Sequence, residues 1–247
     1  MKKIVYLLVK MLANYIVMKY LSFFYVFFIS LSLFCQDKNK RKYDDGEFIY
    51  EFYVSSKDNL KLKKELRYYW YENNRVKSSI YGVKGKVLNG RYVKTSLDSG
   101  EIMEEGSFFY GVKDGEWKEW NKGGGRKRNE VWKKGYLDGK YELYGDNSEL
   151  LLTGIYKKGK KTGIWKEYKV GGVRVLRTWF KDVLDGRYKM YEKGKLIISG
   201  RYRKGLKHGV WINSKRKEKY RFDKGQLLDE KDKTFWSELF GKKKDTI

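Results

Sequence analysis

Polarity divides the chain before any motif is sought. Residues 20–34 (YLSFFYVFFISLSLF) are uncharged and apolar, follow Lys19, and stop at the polar stretch Gln36-Asp37-Lys38-Asn39-Lys40. That is the pattern of a secretory h-region behind a basic n-region. Beyond it, aromatic residues recur singly at a fixed period. A Gly-x-aromatic triplet stands at Gly90-Arg91-Tyr92, Gly115-Glu116-Trp117, Gly139-Lys140-Tyr141, Gly163-Ile164-Trp165, Gly186-Arg187-Tyr188 and Gly209-Val210-Trp211, with the glycines 25, 24, 24, 23 and 23 residues apart. Seven residues before the last five glycines lies another aromatic: Phe108, Trp132, Tyr156, Trp179 and Tyr202. Four residues before them lie Gly111, Gly135, Gly159, Asp182 and Gly205, so Asp182 alone departs from glycine. A period of this length marks a repeat architecture.

Each unit reads as two strands and two turns. The residue before the triplet glycine is Asn89, Asp114, Asp138, Thr162, Asp185 or His208. Asn-Gly and Asp-Gly are strong two-residue hairpin signals, because both central positions of a type I′ turn take positive φ. The triplet glycines are therefore expected at hairpin turns. The aromatic two residues on lies on the same side of its strand, where a ring can cover the bare backbone of a glycine on a neighbouring strand. A second aromatic follows the triplet's own after three residues at Trp120, Tyr144, Tyr168 and Tyr191. That spacing puts the two rings on opposite faces unless a bulge intervenes.

These signals divide the chain into a signal peptide or N-terminal anchor (1–35), degenerate N-terminal repeats (36–89), a repeat array (90–228), and a short capping helix with a basic tail (229–247). Asp45-Gly46-Glu47-Phe48 lies close to two periods before Gly90, and Tyr68, Tyr69, Trp70 and Tyr71 are the surviving aromatics of the degenerate part. Phe235, Trp236, Leu239 and Phe240 fall at helical spacing before Gly241. A helix there would cover the last strand, as the end of a repeat array requires. The fold class expected is all-β: an elongated antiparallel β-meander of six or more hairpin repeats.

Composition agrees with many short strands. The chain has 22 tyrosines, 8 tryptophans, 26 glycines and no proline, whereas disordered chains are poor in aromatics. The formal net charge is +25. A polyanionic partner is one reading of it, and lysine-rich turns and strand edges that block edge-to-edge pairing are the other. The 31 acidic residues interspersed with the 56 basic ones favour the second. The nearest things to clusters are Arg126-Lys127-Arg128, residues 157–161, Lys215-Arg216-Lys217 and residues 242–244.

Cys35 is the single cysteine, which rules out an internal disulfide. Its place at the end of the apolar run fits a lipid-modified N-terminus or a plain cleavage site, with Met1 or Met18 as the start.

The phrases DGEWKEW (114–120), KKGYLDGKYELY (133–144), KKGKKTGIWKEY (157–168), LDGRYKMY (184–191) and RYRKGLKHGVW (201–211) resemble the MORN repeat family in its bacterial MORN-repeat-variant form. The resemblance covers about 90–228 and, more weakly, 43–90. It implies an antiparallel meander with one MORN-type hairpin per repeat. It also implies roles in scaffolding and protein contacts and, in some members, contact with acidic phospholipids or antitoxin-like labels. Asp182 and the irregular stretch Gly123-Gly124-Gly125-Arg126 depart from the pattern.

No catalytic constellation is visible. His208 is the only histidine and sits in the slot otherwise held by Asp, Asn or Thr. One histidine and one cysteine cannot supply a usual metal set or a nucleophile–base pair. Gly123-Gly124-Gly125 lacks the Lys-Ser/Thr of a phosphate loop. Glu104 and Glu105 are adjacent on a strand and face opposite ways. The reading is an exported, non-enzymatic scaffold without cofactor, periplasmic, membrane-anchored or secreted, that holds another protein in the cell envelope. The alternatives are a binder of anionic lipid or polysaccharide and an antitoxin-like or immunity-like protein that sequesters a toxin. Nucleic acid is disfavoured, because an exported chain rarely meets it.

Overall fold

The computed structural model of the protein describes residues 39–56 and 60–230. The apolar segment with Cys35 and the helix expected around 232–240 lie outside those residues. What is described is all-β and antiparallel, a single open meander sheet with no helix among the described residues. The first strands are β1 (Lys40–Asp44), β2 (Phe48–Val54), β3 (Tyr68–Glu72), β4 (Arg75–Ser79), β5 (Lys86–Ser96) and β6 (Ile102–Phe109). Then follow β7 (Val112–Trp120), β8 (Arg126–Lys133), β9 (Tyr136–Tyr144), β10 (Leu150–Lys157), β11 (Lys160–Lys169) and β12 (Val173–Phe180). The last are β13 (Val183–Glu192), β14 (Lys195–Arg203), β15 (Leu206–Asn213), β16 (Glu218–Asp223) and β17 (Gln226–Glu230). From β5 to β17 each strand pairs with the next. Upstream, β1 pairs with β2 and β2 with β5, while β3–β4 is a hairpin whose β3 pairs with the start of β5 at Trp70 and Val87.

The triplet glycines are not at hairpin turns, contrary to the expectation from Asn-Gly and Asp-Gly. All six lie inside strands, in β5, β7, β9, β11, β13 and β15. The tight turns fall four residues earlier, at Tyr110-Gly111, Lys134-Gly135, Lys158-Gly159, Lys181-Asp182, Lys204-Gly205 and, after the last triplet, Lys224-Gly225, where both residues have positive φ. Asp182 fits that slot because aspartate tolerates the left-handed region, here at φ 68°. Its carboxylate Oδ1 also accepts a hydrogen bond from the Lys161 N–H at 2.7 Å.

The positive φ of the triplet glycines serves a bulge instead. Between Glu105↔Lys118 and Ser107↔Asp114, β6 advances two residues while β7 advances four. The same step recurs where β5 meets β2, β9 meets β8, β11 meets β10, β13 meets β12 and β15 meets β14. The looped-out backbone leaves a carbonyl two residues before each triplet glycine, and the next tight turn takes it. Gly111 N–H donates to Leu88 O at 2.7 Å, Gly135 N–H to Lys113 O at 2.9 Å, and Gly159 N–H to Leu137 O at 2.7 Å. The same bond joins Asp182 to Lys161, Gly205 to Leu184 and Gly225 to Lys207. Bulge and turn are therefore one device that locks each hairpin to the next and satisfies backbone groups that would otherwise stay unpaired.

The core is thickest at the N-terminal end. There the β3–β4 hairpin lies over the sheet, and Tyr69 and Tyr71 pack on a buried cluster of Phe52, Val54, Leu88, Tyr92, Phe108 and Trp117. A smaller cluster of Leu66, Tyr68 and Val112 sits beside it. Beyond β8 the buried hydrophobic side chains are Trp165, Val175 and Trp211.

Candidate functional site: two faces with different chemistry

Strand alternation sends the triplet aromatics to one face and the residue between glycine and aromatic to the other. On the aromatic face the true unit is two hairpins long. Tyr92, Phe108 and Trp117 form a ring cluster with centroids 4.9–5.6 Å apart. Tyr141, Tyr156 and Trp165 repeat it at 4.9–5.8 Å, and Tyr188, Tyr202 and Trp211 at 5.1–6.0 Å. In each cluster the indole lies flat on a glycine of the preceding strand: Gly106, Gly154 or Gly200. In each, too, the indole N–H donates to the carbonyl of the residue after that glycine. These bonds are Trp117 to Ser107 at 3.0 Å, Trp165 to Ile155 at 3.2 Å and Trp211 to Arg201 at 3.2 Å. A lysine ammonium caps each indole: Lys113 at 3.8 Å, Lys161 at 4.6 Å and Lys207 at 4.8 Å from the ring centroid. Such contacts contribute roughly 0.5–1 kcal/mol each at exposed sites.

In the alternate hairpins the slot of Gly106, Gly154 and Gly200 is taken by Glu130 and Arg177, each cross-strand from a triplet aromatic on both sides. Both are held by partners. Buried Glu130 accepts from Trp132 Nε1 at 2.8 Å and lies 3.4 Å from Arg128 Nε. Arg177 bonds Glu167. That bond, more than any other influence, holds the Glu167 carboxyl below the usual range. Arg128 likewise bonds Glu119, and Lys113 lies 3.1 Å from Glu104. The carboxylates of this face are matched by its cations.

The opposite face differs from β11 to β15. Register places Lys166, Leu176, Lys189, Ser199 and Ile212 in one row across five strands. In the neighbouring row Arg187 stands directly opposite Arg201, which stands opposite His208. Arg174 stacks on Tyr191 at 4.6 Å, with Tyr168 on its other side. Among the described residues no carboxylate comes within ion-pair distance of Lys166, Arg174, Arg187, Lys189 or Arg201. All but Lys189 are exposed. Like charges directly opposite one another destabilise a sheet, so this row is held by the fold against its own repulsion.

Of the twelve structural positions chosen from sequence, the six glycines lie at the bulges and the six aromatics on one face, and Tyr168 and Tyr191 lie on the opposite face from Trp165 and Tyr188, β11 and β12 running in unbroken register there. His208 lies within β15, its Nδ1 3.3 Å from Asp223 Oδ1. Sequence reasoning missed two features. The two-hairpin period was present in the alternation of Tyr and Trp after the triplet glycine. The basic face draws its five cations from four strands, one or two from each, and so forms no cluster in the linear chain. No protein-family model matches this chain, and a search of curated proteins finds no similar sequence.

Proposed function

We propose that the protein is a binding scaffold, exported by its N-terminal apolar segment, whose basic face on β11–β15 holds an anionic surface of the cell envelope. The observation that carries this reading is the gathering of five cations on the face opposite the ring clusters, none of them with a carboxylate in ion-pair range among the described residues, and with Arg187 set directly against Arg201. A sheet face with five cations spread across it suits an extended anionic surface. Near an anionic membrane each cation is worth about 1 kcal/mol, so five together are on the order of 5 kcal/mol. The MORN-like pattern of the repeats supports the same reading, which is one of binding rather than catalysis.

Sedimentation with vesicles tests it. The protein should pellet with vesicles rich in phosphatidylglycerol and not with phosphatidylcholine vesicles, and binding should fall steeply as salt rises. Binding that ignores both lipid charge and salt would remove the proposal.

A second reading has its own observation. Tyr141, Tyr156, Tyr188 and Tyr202 are only half-buried on the aromatic face, where a protein partner could add to the ring clusters. Such a complex would be weakly salt-dependent, so the same titration separates the two.

A further inference from the structure

At the N-terminal end the β3–β4 hairpin does not close completely on the sheet. Between them lies a cleft of about 220 Å³, smaller than the roughly 300–1,000 Å³ of drug-sized pockets and suited to a single six-membered ring. Its floor is the ring cluster of Tyr92, Phe108 and Trp117, and its walls include Tyr43, Tyr50 and Tyr69. The walls are braced: Tyr43 stacks on Tyr50 with centroids 4.6 Å apart, and the Tyr43 hydroxyl accepts from the Val76 N–H at 3.1 Å, tying β4 to β1.

The polar groups of the cleft are incompletely used. Tyr92 is 6% exposed, yet its hydroxyl has no hydrogen-bond partner among the described residues, and nor has that of Tyr69. Neither hydroxyl oxygen is sealed from solvent, so both are open to the cleft they line. Burial holds the Tyr92 phenol protonated, well above its ordinary value, so it is available as a donor. Lys77, Lys94 and Lys113 line the cleft against one carboxylate, Glu104. Lys113 is paired with Glu104 at 3.1 Å and Lys77 with Glu72 at 2.9 Å. The Lys94 ammonium instead lies 3.6 Å over the Phe48 ring, with no carboxylate in ion-pair range among the described residues. The excess positive charge excludes a cationic guest, despite the aromatic walls. Ring faces, two free phenol donors, the Lys113–Glu104 pair and one unpaired ammonium together match a ring that bears both hydroxyls and a single negative charge.

We infer that this cleft binds one sugar-acid residue, a pyranose carrying one carboxylate. Its carboxylate meets Lys94, its hydroxyls meet Tyr69, Tyr92 and the Lys113–Glu104 pair, and its apolar ring face lies on the aromatic floor.

Calorimetric titration of the full chain with a panel of free uronates, with glucose and with acetate tests this. A uronate should bind with a Kd of about 1 mM and at least about tenfold more tightly than glucose or acetate. Tyr92→Phe, which removes one oxygen and keeps the packing, should weaken the uronate about tenfold, and Lys94→Met should bring it to the affinity of glucose. Arg187→Glu, on the far face, should leave uronate binding unchanged, which separates this site from the basic face. Equal affinity for glucose, indifference to Lys94→Met in a protein with an unchanged melting temperature, or no saturable uronate binding at about 20 mM would each overturn the inference.

Discussion

Gly154 lies beneath Trp165 so closely that a β-carbon built on it would stand 2.2 Å from the indole ring. Gly163, the triplet glycine two residues before that tryptophan, has open space around its own Cβ position and φ of 67°. The two glycines are needed for different reasons, one for contact and one for backbone conformation.

Alanine substitutions should separate those reasons. Gly163→Ala brings only left-handed strain, about 1–2 kcal/mol. Gly154→Ala forces the indole off the strand, at the cost of its hydrogen bond to Ile155 O and its buried packing, so about 3–5 kcal/mol is expected. Urea unfolding of both variants checks the order. Tryptophan fluorescence should shift for Gly154→Ala and not for Gly163→Ala.

Asp182 offers a cleaner test of turn chemistry, since it combines left-handed φ with a side-chain acceptor for the Lys161 N–H. Asp182→Asn keeps both properties and should be neutral. Asp182→Ala loses both and should lower stability by about 1–2 kcal/mol. Equal stability of the two variants would show that the bond across the turn contributes nothing.

The repeat, the strand-rich fold and the identity of the paired aromatics were legible because each hairpin needs the same residues at the same offsets. The position of the turns was not. Asp114-Gly115 has the composition of a type I′ turn, but a two-residue bulge asks for the same left-handed glycine, and only the partner strand's register distinguishes them. The rival signal, Lys134-Gly135 or Lys158-Gly159, carries lysine at the first position, which propensity alone does not favour. The covering of the sheet by the β3–β4 hairpin depends on contacts between Tyr43, Tyr71 and Phe52, distant in the chain and outside the repeat. The basic face was invisible for the reason that made the core visible: alternation spaces its residues two apart, among apolar neighbours of the opposite face.

Acid should loosen the array at its paired carboxylates. Glu167 is held below the usual carboxylate range first by its bond to Arg177, with Lys169 adding to it. A carboxyl whose folded value is depressed contributes stability above its unfolded value, roughly pH 4–4.5, and loses it as pH falls through the folded one. Glu167→Gln should therefore be less stable than the parent at pH 7, and the gap should narrow below about pH 4. Melting temperatures across pH 3–7 measure it. A gap independent of pH would mean that the ion pair contributes through packing alone.

Arg187 and Arg201 make opposite predictions for stability and for binding, and this is the sharpest test of the basic face. They face each other across β13 and β14, and each exposed guanidinium lacks a carboxylate partner among the described residues. Arg187→Glu turns a repulsive cross-strand pair into an attractive one, so stability should rise by roughly 0.2–1 kcal/mol. The same change removes two units of positive charge from the face, so affinity for anionic vesicles should fall by about tenfold or more at low salt. The double variant Arg187→Glu, Arg201→Glu restores like-charge repulsion: its stability should return towards that of the parent while binding falls further. A scaffold that had only a solvated lysine- and arginine-rich surface would gain the stability and lose no binding. Denaturant midpoints and vesicle sedimentation on the same three proteins distinguish the two, because a fold defect would move both measurements down together.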